Sequence, residues 1–105
     1  MTRSHTASSI ELNLQISNAL RMERVAFGAK ARAARAVLGL SQTEFASQIG
    51  LTQKSVHRIE QGAVEPKLRT RRMIEQFWCD SGIGFDDLPD GGFRITVQGP
   101  TLIHN

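Results

Sequence analysis

The chain has 105 residues, 40% of them apolar and 22% charged, a balance that suits one compact globular domain and argues against disorder. No apolar run approaches the roughly 20 residues that span a bilayer. No basic segment leading into an apolar stretch marks a secretory leader. The single cysteine, Cys79, excludes an internal disulfide framework and a multi-cysteine zinc site, and a reducing, cytoplasmic compartment is expected. The net charge of +3 is unevenly placed: residues 21–72 sum to +7 and residues 73–105 to −4. A basic middle with an acidic tail suits a polyanionic partner for the middle.

Residues 1–8 are small and polar and fit a frayed terminus. Apolar and polar residues then alternate over Ile10-Glu11-Leu12-Asn13-Leu14-Gln15-Ile16, the period of a half-buried strand, with a helix as the alternative. Over residues 21–38 the period changes. Phe27, Ala31, Ala34 and Leu38 form one face of a helix, and Gly39 follows where a left-handed backbone is needed. Ser41 and Glu44 make a capping box for a short second helix with Phe45, Ala46 and Ile49 inward, ended by Gly50. Thr52 caps a third helix with Val56 and Ile59 inward, closed by Gly62. Glu65-Pro66 marks a connection. A fourth helix starts at Lys67 or, with Thr70 as its cap, at Arg71, and carries Ile74, Phe77 and Trp78. The tail holds two strand-like runs, residues 83–85 and 93–97, around a turn region rich in glycine and aspartate. Two strands alone are marginal, so residues 10–16 could add a third, in the same chain or from a second subunit.

Function concentrates in residues 42–61. Two short helices meet at Gly50 with little space between them, and Ala46 keeps their approach close. That arrangement suits a helix-turn-helix, whose second helix fits the DNA major groove. With Arg35-Ala36-Val37-Leu38-Gly39-Leu40-Ser41-Gln42 before it and Ile59-Glu60-Gln61-Gly62 and Pro66 after it, the chain resembles the lambda-repressor/Cro-type helix-turn-helix family, also called the Xre family, over residues 21–82. The tail, with Gly82-Ile83-Gly84-Phe85 and Gly91-Gly92-Phe93-Arg94-Ile95, is similar to the ends of many short bacterial members. The segment before residue 20 matches nothing in the family.

The resemblance implies roles for particular residues. Gln53, Lys54, His57 and Arg58 would face bases, and Gln42, Thr52, Ser55, Lys67 and Arg69 would hold phosphates. The chemistry is compatible: Gln53 suits adenine N6 and N7, Lys54 and Arg58 suit guanine O6 and N7, and each good pair is worth about 1–3 kcal/mol of discrimination. Arg35 and Glu60 occupy slots that the family joins by a structural ion pair.

The expected fold is therefore mainly α, with four to five short helices and a small β element from the tail and residues 10–16. Its parts are an N-terminal extension (1–20), a DNA-binding domain (21–82) and a hairpin-like tail (83–105). The expected function is a sequence-specific double-stranded DNA-binding regulator, a repressor acting as a homodimer on a palindromic operator. The rival is an antitoxin or accessory module that binds a toxin or other protein through its terminal segments. No motif supports catalysis. His5, His57 and His104 lack metal-site spacing, so neither metal nor cofactor is expected. Cys79 fits a quiet, partly buried thiol, and Phe77 and Trp78 fit a core.

Overall fold

A computed structural model describes residues 8–103. His5 and His104 lie outside the described residues. Among the described residues the fold is mainly helical, with five helices and one two-stranded antiparallel sheet.

Helix α1 runs without a break over Ser9–Leu38. Its start is set locally. The Ser8 hydroxyl accepts from the Glu11 N–H (3.1 Å), and the Glu11 carboxylate accepts from the Ser8 N–H (2.9 Å). Two otherwise orphaned groups are thereby satisfied. Residues 10–16 are thus helical, not a strand, and among the described residues the sheet has no third member. The alternation misled because at 100° per residue it splits into two helical rows. Leu12 and Ile16 share one side, Ile10 and Leu14 the other. At about 45 Å, α1 is far longer than the body it serves. Its first turns project from the body, so the described residues as a whole extend 65 × 28 × 18 Å.

The second half of α1 supplies Phe27, Gly28, Ala31 and Ala34 to the core. Helix α2 (Gln42–Ile49) opens with the reciprocal Ser41–Glu44 cap. Gly50 at φ +74° reverses the chain, and Thr52 caps α3 (Gln53–Glu60). Helix α4 spans Leu68–Asp80 with Lys67 as its N-cap, so Thr70 lies inside the helix and does not start it. Phe45, Val56 and Ile74 are fully enclosed. Trp78 links layers, its ring 5.5 Å from Phe27 and 4.8 Å from Phe85, while Phe45 meets Phe77 edge-on at 5.2 Å. Both Phe77 and Trp78 are therefore packed within the body.

Strands β1 (Ile83–Asp87) and β2 (Phe93–Val97) pair in a register that sets Ile83 opposite Val97 and Asp87 opposite Phe93. The hairpin survives as two strands because it lies on other elements. Ile83 is buried, and Phe85 packs between Trp78 and Phe93. A last turn, α5 (Gly99–Leu102), has no counterpart in the sequence expectations. The Thr101 hydroxyl ties it back to the Ser81 carbonyl at 2.6 Å. Cys79 is exposed, not partly buried, because it falls on the outer side of α4 beside Trp78. Among the described residues, no helix is long and apolar enough to cross a membrane.

Candidate nucleic-acid interface

Helix α3 divides its eight residues by side. Val56, Ile59 and Glu60 are buried, whereas Gln53, Lys54, His57 and Arg58 are exposed. The exposed four span one continuous sector, since 100° per residue brings Gln53 and His57 side by side and Lys54 and Arg58 next to them.

What holds α3 in place is mostly polar. Glu60 is 3% exposed. Its carboxylate accepts two bonds from the Arg35 guanidinium, Nε–Oε2 at 2.8 Å and Nη2–Oε1 at 2.9 Å, a bidentate fork. That bond holds the Arg35 pKa above its ordinary value, with the Glu60 charge adding to the effect and burial opposing it. Arg35 also donates to the Leu40 carbonyl in the turn after α1 (3.0 Å). Gln42, the first residue of α2, donates its amide to the same Glu60 carboxylate (3.0 Å). The Gln42 oxygen accepts from the Gln53 amide at 2.6 Å, and its nitrogen lies 3.4 Å from His57 Nδ1. One buried carboxylate thus ties α1, α2 and α3 together and reaches the exposed Gln53 through a single intermediary.

Three further contacts brace the C-terminal end of α3. Arg32 donates to the Glu60 carbonyl (3.0 Å), and Arg24 to the Gly62 carbonyl (3.5 Å). Cations here meet the negative end of the helix dipole. Gly28 lets the backbones touch: a Cβ there would stand 2.6 Å from the Glu60 carbonyl oxygen. These residues escaped the sequence reading. The signal was present in the spacing of Arg24, Gly28, Arg32 and Arg35, which places a glycine between arginines along one side of a helix.

The residues expected at phosphates separate into groups. Thr52 is occupied as a cap: its hydroxyl oxygen accepts the Ser55 N–H (3.1 Å), and its proton goes to Ser55 Oγ (2.9 Å). Ser55 keeps its own hydroxyl proton for another acceptor. Ser55, Arg58 and Lys67 line one groove of about 310 Å³ with Leu51, Val64 and Pro66. Gln42 is half-buried within the Glu60 network. Arg69 stands apart, in a different groove between α2 and α4 with Gln48, Arg72 and Phe77. Among the described residues, no cluster of three His, Cys, Asp or Glu side chains could hold a metal ion.

Residues 26–77 match the family model described as a helix-turn-helix domain. The segment is a helix-turn-helix domain. Neither a curated protein nor a solved structure gives a significant match to the chain. The matched residues begin one position before Phe27 and end at Phe77, so they contain the whole Arg35–Glu60–Gln42 network and all of α3. A helix-turn-helix domain supports a DNA-binding regulator in general, with DNA as partner. The projecting turns of α1 and the β hairpin lie outside the match.

Proposed function

We propose that the protein is a sequence-specific regulator of the lambda-repressor/Cro type that binds double-stranded DNA as a homodimer. It acts as a repressor by occupying a palindromic operator and excluding the transcription machinery. The supporting observation is the division of α3: four polar or cationic side chains outward, three buried residues inward, on a scaffold pinned by Glu60. In this reading α3 enters the major groove. Gln53 pairs with adenine, Lys54 and Arg58 donate to guanine, and His57 contacts the neighbouring base edge. Ser55 and Lys67 hold the backbone beside the groove and Arg69 takes a phosphate farther along, while Thr52, whose hydroxyl proton goes to Ser55, and Gln42, whose amide goes to Glu60, brace α3 instead of donating to a phosphate. One eight-residue helix reaches few bases, which favours two copies on two half-sites.

Selection of bound duplexes from a random pool tests the whole reading. The expected result is a palindrome with half-sites about 10 bp, or a multiple of that, apart. Gln53→Ala and Arg58→Ala should each relax preference at one position per half-site. A pool without enrichment would overturn the proposal. An equal loss for every sequence would reassign those two residues to the backbone.

A further inference from the structure

Of the four exposed side chains on α3, Lys54 and Arg58 carry donors only, and Gln53 carries both donors and an acceptor. His57 is the open case. A neutral imidazole donates from one ring nitrogen and accepts at the other, and its surroundings select which. The His57 Nδ1 lies 3.4 Å from the Gln42 amide nitrogen, and its Nε2 has no hydrogen-bond partner among the described residues.

The Gln42 amide cannot exchange its two ends. Its nitrogen lies 3.0 Å from Glu60 Oε1, and the Arg35 guanidinium forks onto both oxygens of that carboxylate. Glu60 so paired is ionised and only accepts. An amide oxygen in place of the nitrogen would set two acceptors face to face. One amide hydrogen of Gln42 therefore goes to Glu60, and the other is left for His57. A proton on His57 Nδ1 would meet it donor against donor. At 3.4 Å the contact is long for a hydrogen bond, so its effect lies in disfavouring that form and not in added stability.

We infer that Glu60, acting through Gln42, fixes the neutral His57 ring with a bare Nδ1 and a proton on Nε2, so that His57 reads a base as a donor. This rests on the DNA reading above and adds a selection rule to it. Gln42 is the positioning residue and His57 the specificity-determining one. In the major groove guanine offers N7 and O6 as acceptors, adenine N7 and thymine O4, whereas cytosine presents its N4 amino donor. The Nε2–H suits the acceptors and opposes cytosine. With Lys54 and Arg58 also confined to donating, three of the four reading side chains call for acceptors. Guanine, which alone offers two, is then favoured in the half-site.

The first test uses the free full chain. Long-range proton–nitrogen NMR spectra at alkaline pH, where imidazole is neutral, report which ring nitrogen carries the proton, and His57→Gln identifies the resonances. The wild type should show the Nε2–H form alone. Gln42→Met, of similar length but without an N–H, should show both forms. Glu60→Gln should also mix them, because its amide can meet either end of Gln42. An Nδ1–H ring in the wild type, or equal populations in wild type and both variants, overturns the inference. The second test uses DNA. In duplex selection, the position whose preference is lost in His57→Ala marks the base that His57 meets. There the wild type should bind cytosine at least tenfold more weakly than guanine, about 1.4 kcal/mol, and Gln42→Met should narrow that ratio. A selected duplex that accepts cytosine and guanine equally at that position overturns the inference and leaves the DNA reading standing. An Nε2–H ring in a protein that selects no duplex removes the DNA reading, and the base selection falls with it.

Discussion

Glu60 keeps a carboxylate inside the protein, and its partners account for that. Its side chain is 2% exposed, and both oxygens are engaged, by Arg35 on each and by Gln42 on one. Removing one member of a buried pair strands the other. Glu60→Ala should therefore destabilise the fold by about 3–5 kcal/mol. Glu60→Gln, which keeps shape and one acceptor, should cost less. Thermal melts of both variants check this, and wild-type melting in each would show that the pair contributes nothing. Glu44 gives a pH-dependent counterpart. Its bonds from the Ser41 backbone and side chain hold its pKa below the ordinary 4.5. A folded value below the unfolded one means that the contribution is complete above pH 4.5 and is lost as pH falls through the lower folded value. Glu44→Gln should flatten stability against pH in that window. At this scale the sequence exposes partners that are close along the chain, such as Ser41 and Glu44. Gln42 and Glu60 are 18 positions apart, and only the crossing of two helices brings them to 3.0 Å.

Elements are legible where their signals are local. Gly39, Gly50 and Gly62 mark helix ends because each takes a positive φ that other residues resist. The 10–16 segment was not legible, because two competing local rules overlap there. Seven alternating residues fit a strand, while Ser8 and Glu11 form a capping box two residues earlier, and the capping box prevails. Helix α5 is too short for any period to show. The contact between α1 and α3 was hidden for a different reason: a glycine inside a helix carries no pattern of its own. Gly28→Ala would push a methyl against the carbonyls of Ile59 and Glu60. It should cost about 1–3 kcal/mol, although alanine is the better helix former. A melt no lower than wild type would show that α1 and α3 separate without cost.

On the scale of the molecule, charge is less available than its sum suggests. Lys30 is held by Asp87 of the hairpin at 2.7 Å. Arg71 lies over the Phe27 ring at 4.6 Å and near Glu65 and Glu75. Arg24, Arg32 and Arg35 serve the C-terminal end of α3 and the Glu60 carboxylate. Lys54, Arg58, Lys67 and Arg69 have no acidic partner among the described residues; Lys54 and Arg58 stand on α3, and Lys67 lines a groove with Arg58. DNA affinity should fall steeply with salt, by a log–log slope of about 0.9 per phosphate held. Lys67→Ala should reduce that slope by about 1. Arg71→Ala should lower the melting temperature and leave the slope alone. Titrations of a fixed duplex across salt concentrations distinguish the two, and a slope unchanged by Lys67→Ala would remove it from the interface.

The Glu60 carboxylate has one more consequence. An ionised carboxylate accepts hydrogen bonds and cannot donate them, so Gln42 must turn its NH₂ inward and its oxygen outward. That oxygen then claims an N–H of Gln53. Gln53 is left with its own oxygen and one N–H facing away from the body, an acceptor beside a donor. In the proposed reading, a base edge that met Gln53 would meet a fixed left and right. The orientation of the exposed Gln53 amide is thus set by a buried charge two hydrogen bonds away.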